Sequence, residues 1–198
     1  MRGRSQIGVG LEADSIAAKQ VLEPSRLLKP AEILEHVAHR KISLGIYGWW
    51  FDGALPEVPR DGCLKFCGRN LLYVGIAPSS QKYANSGRTL SGRIKNHLSG
   101  TIGNSTLRLS LAALLQEEFQ FQFGRAGKKA RMTCENEDRL TEWIFYNANL
   151  SVAEYSMPWQ LEREIIQRGP TLPLNLKDNC RNPFKPILSD LRRKLGRN

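Results

Sequence analysis

Apolar positions along the chain follow two rhythms. Two short runs, ISLGIYGWWF (42–51) and LLYVGIA (71–77), are dense in β-branched and aromatic side chains and are separated by Gly-, Pro- and Asp-containing sequence. This is the pattern of strands, and LSVAEYS (150–156) predicts a third. Elsewhere the apolar spacing is helical: Ile33, Leu34 and Val37 behind Pro30 in 29–40, and Leu90, Ile94 and Leu98 in TLSGRIKNHLSG (89–100), stopped by Gly100. NSTLRLSLAALLQEE (104–118) carries Leu107, Leu111, Leu114 and Leu115 behind Asn104 or Ser105 as cap. EDRLTEWIFYNAN (137–149) turns Leu140, Trp143 and Ile144 inward, and MPWQLEREIIQRG (157–169) runs between Pro158 and Gly169.

The remaining stretches are less regular. FQFQFG (119–124) alternates and predicts an extra strand with one wet face, whereas RAGKKARMTCENED (125–138) holds no core and reads as an exposed loop. Residues 1–28 read as a loosely attached lead-in, 170–184 as extended, and KPILSDLRRKLGRN (185–198) as a basic terminal helix. Trp49, Trp50 and Phe51 are expected to pack the core.

Length and composition narrow the class. A chain of 198 residues with 41% hydrophobic content fits one domain, or one domain with an appended arm, with a core that needs no disulfide staples. Twenty-nine Lys plus Arg against 19 Asp plus Glu leave a net charge of +10. That excess points to a polyanionic partner, nucleic acid before an anionic membrane. No apolar run is long enough to span a bilayer and the first residues lack a secretory apolar segment, so the expected location is the cytoplasm. Of the four cysteines only Cys63 and Cys67 lie close together, without a second pair or a nearby histidine, so reduced thiols are expected.

Three groups carry candidate chemistry. On a helical wheel with Leu161 at 0°, Glu162 falls near 100°, between Ile165 at about 40° and Ile166 at about 140°, while Glu164 falls near 300°. Glu162 therefore points into the apolar arc, as a functional carboxylate or a buried ion-pair partner. Arg93 and His97, four apart, are neighbours on one helix surface: an anion clamp with a proton donor or acceptor beside it, or a solvated face. Tyr47 and Tyr73 sit in strands, where tyrosine ordinarily packs; glycines at 45 and 75 are expected to leave the backbone beside each phenol open to a bulky ligand.

The order of these pieces resembles the GIY-YIG endonuclease family. GIY at 45–47, YVG at 73–75, the Arg93/His97 helix, Glu162 in LEREII and Asn175 in PLNL follow in the family's sequence, across residues 44–178. The chain is most similar to small bacterial members with LLYVGIAP, GNSTLRLSL and PLNL-type segments, and more distantly resembles GIY-YIG restriction enzymes that share the Arg-x-x-x-His spacing. The resemblance implies an α+β fold with a small antiparallel three-stranded sheet flanked by helices. It implies a nuclease-like domain at 41–180, preceded by an extension (1–40) with a short helix and followed by a basic tail (181–198). It also implies hydrolysis of DNA phosphodiesters with Mg²⁺ or Mn²⁺.

Residue by residue, the resemblance makes Tyr47 the general base or the relay to it, and Tyr73 the group orienting water or phosphate. Arg93 would stabilise the pentacovalent phosphate with His97 assisting, Glu162 would hold the cation, and Asn175 would brace the site. A phenol is a poor base at neutral pH, so Tyr47 is expected to need a lowered pKa, with Arg93 and the cation as sources. One departure is Ile76, where many members carry lysine directly after the second motif's glycine; its charge would fall to His97 or Lys82. That departure keeps a second class open, a weakened nuclease scaffold that only binds nucleic acid.

Basic residues supply the expected binding surface. Arg125, Lys128, Lys129 and Arg131 crowd one segment, and Arg181, Lys185, Arg192, Arg193, Lys194 and Arg197 crowd the tail. Such charge follows a phosphate backbone without reading bases, or merely solubilises the chain. DNA is the expected polymer, with RNA as the lesser alternative.

Overall fold

All seven residues of the first main strand, Gly45–Phe51, are buried, so the sheet around it is covered on both faces. The computed structural model describes residues 16–40, 42–53, 55, 57–127 and 129–195. In chain order the elements are α1 (Ile16–Leu22), α2 (Pro30–His39), β1 (Gly45–Phe51), β2 (Lys65–Phe66), β3 (Arg69–Ala77), α3 (Leu90–Ser99) and α4 (Thr106–Leu114). They continue with α5 (Gln116–Phe119), β4 (Phe123–Ala126), β5 (Lys129–Met132), α6 (Cys134–Asn147), β6 (Ala148–Glu154), α7 (Pro158–Arg168) and α8 (Lys185–Lys194). No described helix is long and apolar enough to cross a membrane.

The main sheet is antiparallel in the order β2-β3-β1-β6. It has four strands where three were expected, because the segment between the two tyrosine strands folds back at its end as the two-residue β2. Strand alternation divides the core. Tyr47, Trp49 and Phe51 pack on one face with Leu90, Ile94 and Leu98 of α3 and Leu140 and Ile144 of α6. Ile46 and Trp50 pack on the other with Ala18 and Val21 of α1 and Leu161, Ile165 and Ile166 of α7. A shift of register opposite Trp49 and Trp50 leaves Leu72 unpaired in β3. This bulge lets both Leu72 and Tyr73 join the α3 side.

Two expectations are corrected. The lead-in is not loose over its described part: Ala17, Ala18, Val21 and Leu22 are buried. Ser151 Oγ donates to the Val21 carbonyl (2.8 Å), and Leu28 and Leu150 exchange backbone hydrogen bonds (2.8 Å each). Residues 1–15 of the expected lead-in lie outside the described residues. The alternating FQFQFG is no continuous strand either. It holds the end of α5, a left-handed Gln120 and then the start of β4, which pairs with β5 inside the stretch read as a loop. Phe119, Phe121 and Phe123 pack ring on ring through this turn, and that contact fixes the alternation that looked like a strand.

β2 covers only β3's first residues, with Leu71 N–H still donating to the Leu64 carbonyl (2.9 Å), so the edge beyond has no partner strand and is met instead by Leu174 and Asn175. Leu174 N–H donates to Leu72 O (3.1 Å). Asn175 takes Val74 N–H on Oδ1 (2.9 Å) and gives its Nδ2 hydrogen to Val74 O (2.7 Å). Its side-chain amide thus serves one edge residue as a neighbouring strand would. The backbone carbonyl of Asn175 accepts in turn from Asn179 and Asn182 (3.1 Å each), which ties down the loop.

Candidate active site

Register brings the two phenols onto one face. Tyr47 is opposite Gly75, and Tyr73 opposite Trp49. A Cβ on Gly75 would lie 2.5 Å from Tyr47 Oη, so the glycine seats the Tyr47 ring. The expected ligand space beside the glycines is therefore filled: at Gly75 by the phenol, and at Gly45 by the Ala153 carbonyl and Leu90.

Helix α3 crosses above the phenols. Its N-cap Thr89 accepts from Gly92 N–H (3.1 Å), and one face carries Leu90, Ile94 and Leu98 into the core. His97 goes with that face and is wholly buried among the rings of Tyr47, Trp49 and Tyr73, at centroid distances of 5.6, 5.9 and 5.9 Å. It is neither on a solvated face nor able to touch a bound anion, which corrects the pairing with Arg93 as a surface clamp.

His97 Nε2 lies 2.8 Å from Tyr47 Oη and Nδ1 lies 2.7 Å from Ser105 Oγ. Burial first, then the charges of Arg93 and Arg108, holds the imidazole well below its usual pKa. It is neutral, and cannot replace the charge of the missing lysine. The charge of Arg93 acts on both phenols. A neutral imidazole carries one N–H, so the ring donates to one of the Tyr47 and Ser105 hydroxyls and accepts from the other, and Ser105 Oγ also accepts the Arg108 backbone N–H (3.1 Å). Ser105 stood out in the sequence only as a helix cap; its place eight residues after His97 was the one available signal.

Both phenols are held protonated. Burial raises Tyr47 well above 10, reinforced by Tyr73 and opposed by Arg93; burial likewise raises Tyr73, opposed by Arg93. The expected lowering by Arg93 is outweighed by desolvation in the structure as it stands. Tyr47 is fully buried, and Tyr73 is the phenol that lines the adjoining cleft.

That cleft, of about 330 Å³, lies beside β3 and is lined by Tyr73, Arg93, Thr106, Glu162, Asn175 and Arg192 among others. Helices α3 and α7 pack on opposite faces of the sheet, yet Arg93 and Glu162 reach round the edge into the same space. Glu162 is half-buried and, among the described residues, forms no ion pair. Burial pushes its carboxyl up to about 7 against the pull of Lys177 and Arg93. The Nε of Arg93 is buried without a partner.

A model of the GIY-YIG catalytic domain matches residues 45–194. The chain belongs to that family. Membership of the GIY-YIG family implies nuclease activity in general and a nucleic-acid substrate. A search of curated proteins and a search of solved structures returned no match. The GIY-YIG match extends through α8, so the helix carrying Arg192 falls within it.

Among the described residues no three His, Cys, Asp or Glu side chains come together. Glu162 and Asp178 are the two carboxylates that line the cleft; Glu162, without an ion pair among the described residues, is the one suited to a hydrated divalent cation, which would take further ligands from water and substrate oxygens. Of the expected binding residues, Arg125, Lys129 and Arg131 are exposed on the β4–β5 hairpin, and Lys128 and Arg197 lie outside the described residues. Arg131 pairs with Gly124 and Lys129 with Ala126, whereas Arg125 pairs with Ala130. Arg125 and Lys129 both line one hollow beside α8.

Proposed function

We propose that this GIY-YIG domain is a divalent-metal-dependent endonuclease that hydrolyses DNA phosphodiesters in the cleft beside Tyr73. The observation that carries the reading is the meeting of Arg93 and Glu162 from opposite faces of the sheet in one open space. Phosphodiester hydrolysis needs charge neutralised on the phosphoryl oxygens, a deprotonated water and help for the leaving oxygen. Arg93 supplies the first through a half-buried guanidinium whose Nε has no protein partner. Glu162 would hold Mg²⁺ or Mn²⁺, which when bound supplies Lewis-acid charge at the phosphate.

Tyr73 faces the cleft and orients water or phosphate, while Tyr47, behind it, relays a proton. What supports the relay is the neutral imidazole 2.8 Å from its oxygen, with the Ser105 hydroxyl 2.7 Å from the other ring nitrogen. Asn175 does not contact substrate through its amide, which is used on Val74; it is a positioning residue that holds the edge of the cleft.

The test is nicking of supercoiled plasmid with and without Mg²⁺ or Mn²⁺, RNA being offered at equal concentration. Glu162→Ala should abolish cleavage and leave binding in a gel shift largely intact; undiminished nicking would refute the assignment. A second reading, a binding module on a weakened nuclease scaffold, is favoured by Ile76. This side chain is buried, lines the cleft and places no charge where many relatives carry lysine. It predicts salt-sensitive binding without metal-dependent turnover.

A further inference from the structure

Helix α8 carries three consecutive cations, and its only acid is Asp190. Arg193 and Lys194, three and four residues on, both bond to that carboxylate, Lys194 Nζ at 2.9 Å. Arg192 has no carboxylate partner among the described residues. It turns the other way, into the cleft that holds Tyr73, Arg93 and Glu162. The helix beneath it is fixed by the buried Leu188 and by packing on α4, so the guanidinium is presented from a rigid element. Burial pulls its pKa down and the nearby Tyr73 opposes this, the mark of a partly dehydrated cation without an anion.

Arg192 also borders a second hollow, of about 320 Å³, lined by Gly103, Leu109, Arg125, Lys129 and Ala130. Lys129 in turn borders a third, of about 620 Å³, with Arg88, Arg93 and Asn96. Arg192 is thus common to the cleft and to the hollow against the β4–β5 hairpin, which Arg193 also lines, and among the described residues no acidic side chain lines either of the two further hollows.

We propose that Arg192 binds the phosphate adjoining the scissile one, and that the bound strand leaves the cleft over α8 toward the hairpin. The inference rests on the nuclease reading of the cleft and adds to it a fixed direction for one arm of the polynucleotide. Arg192 positions the strand; Arg93 faces the reacting phosphate.

Fluorescence anisotropy in EDTA with a labelled oligonucleotide, repeated over a range of KCl, tests it on the full chain. Each lost phosphate contact lowers the slope of log K against log salt by about 0.9 for duplex and about 0.7 for single strands. Arg192→Gln should show that loss and Arg192→Lys should not. Arg26→Gln, which removes an exposed charge beside the other edge of the sheet, should keep the wild-type slope. An unchanged slope in Arg192→Gln, or an equal loss in Arg26→Gln, overturns the proposal.

Phenylglyoxal labelling of the wild-type protein, mapped by peptide mass, gives a measurement free of any folding defect. Oligonucleotide should protect Arg192 several-fold, and labelling at an undiminished rate overturns the proposal. Wild-type nicking with an unchanged Arg192→Gln slope defeats the subsite alone. A lowered slope with no metal-dependent cleavage supports the subsite and defeats the nuclease reading.

Discussion

Tyr47 and His97, separated by 50 residues of chain, meet through a 2.8 Å contact between Oη and Nε2 that is sealed from solvent. Removing the hydroxyl alone, in Tyr47→Phe, keeps the ring over Gly75 and leaves Nε2 without a partner. The expected cost is about 1–3 kcal/mol in urea unfolding. Plasmid cleavage is expected to fall by at least about 100-fold, the range of a lost proton-transfer group. A variant that loses stability but nicks at the wild-type rate would remove Tyr47 from the chemistry.

Gly75→Ala attacks the same pair from the opposite strand. A methyl there would stand 2.5 Å from Tyr47 Oη and 2.7 Å from its Cζ, against a ring with no free space beside it. Overpacking of this kind costs roughly 1–3 kcal/mol. The phenol must also swing away from His97, so activity should fall further than in a variant of equal stability elsewhere in the core. Nicking rates compared at matched folded fraction would show this.

Glu162 gives stability a pH dependence of definite sign. Its folded pKa, about 7, lies above the ordinary carboxylate value of 4.5, so between these values the folded state binds more protons than the unfolded one. This contribution to stability is present below about pH 4.5 and is lost as the pH rises through about 7. Glu162→Gln should therefore be the more stable protein at pH 8, by roughly 1–3 kcal/mol, and the difference should vanish near pH 4. Urea titrations at the two pH values measure it, and equal stabilities at pH 8 would contradict the strained carboxylate.

Divalent-ion binding should follow the same group in the opposite sense. A proton and a cation compete for one carboxylate, so below about pH 7 the affinity for Mn²⁺ should rise about tenfold per pH unit and level off above it. Titration of Mn²⁺ by electron paramagnetic resonance, with Glu162→Gln as reference, distinguishes this from binding elsewhere.

Arg108 lies under the site and holds its helices together. Fully buried, it donates to the Leu98 carbonyl (2.7 Å), Thr141 Oγ1 (3.1 Å), the Glu137 carbonyl and Glu137 Oε2 (2.8 Å each). Glu137 Oε1 meanwhile accepts Ile102 N–H (2.8 Å). Arg108→Met should destabilise by about 3–5 kcal/mol, because it leaves the Glu137 charge unpaired in a nearly closed site. A loss below about 1 kcal/mol would show that the network relaxes around the gap.

How much of this was legible in the sequence depended on distance along the chain. Helix α6 and the stretch that became α3 follow from spacing alone, and so does the inward turn of Glu162 among Leu161, Ile165 and Ile166. The burial of His97 did not follow, because a polar ring at the margin of an apolar stripe becomes core only when Tyr47, Trp49 and Tyr73 are folded beneath it. The β4–β5 hairpin escaped notice because short exposed strands carry no apolar alternation. Arg108 was hidden too, since nothing in LRLSL shows that Glu137, 29 residues later, will meet it.

The amino-acid sequence by itself determined the helices with strong periodicity, the three main strands, the basic charge and the ordered motifs that mark the family, since each is written in local spacing or composition. Tertiary structure alone decided that Gly75 would house a phenol, that His97 would be neutral behind it, and that Arg93 and Glu162 would meet around the edge of β3. Those relationships depend on strand register, a one-residue bulge and the face on which each helix lands, and such properties arise only when distant segments exclude water together.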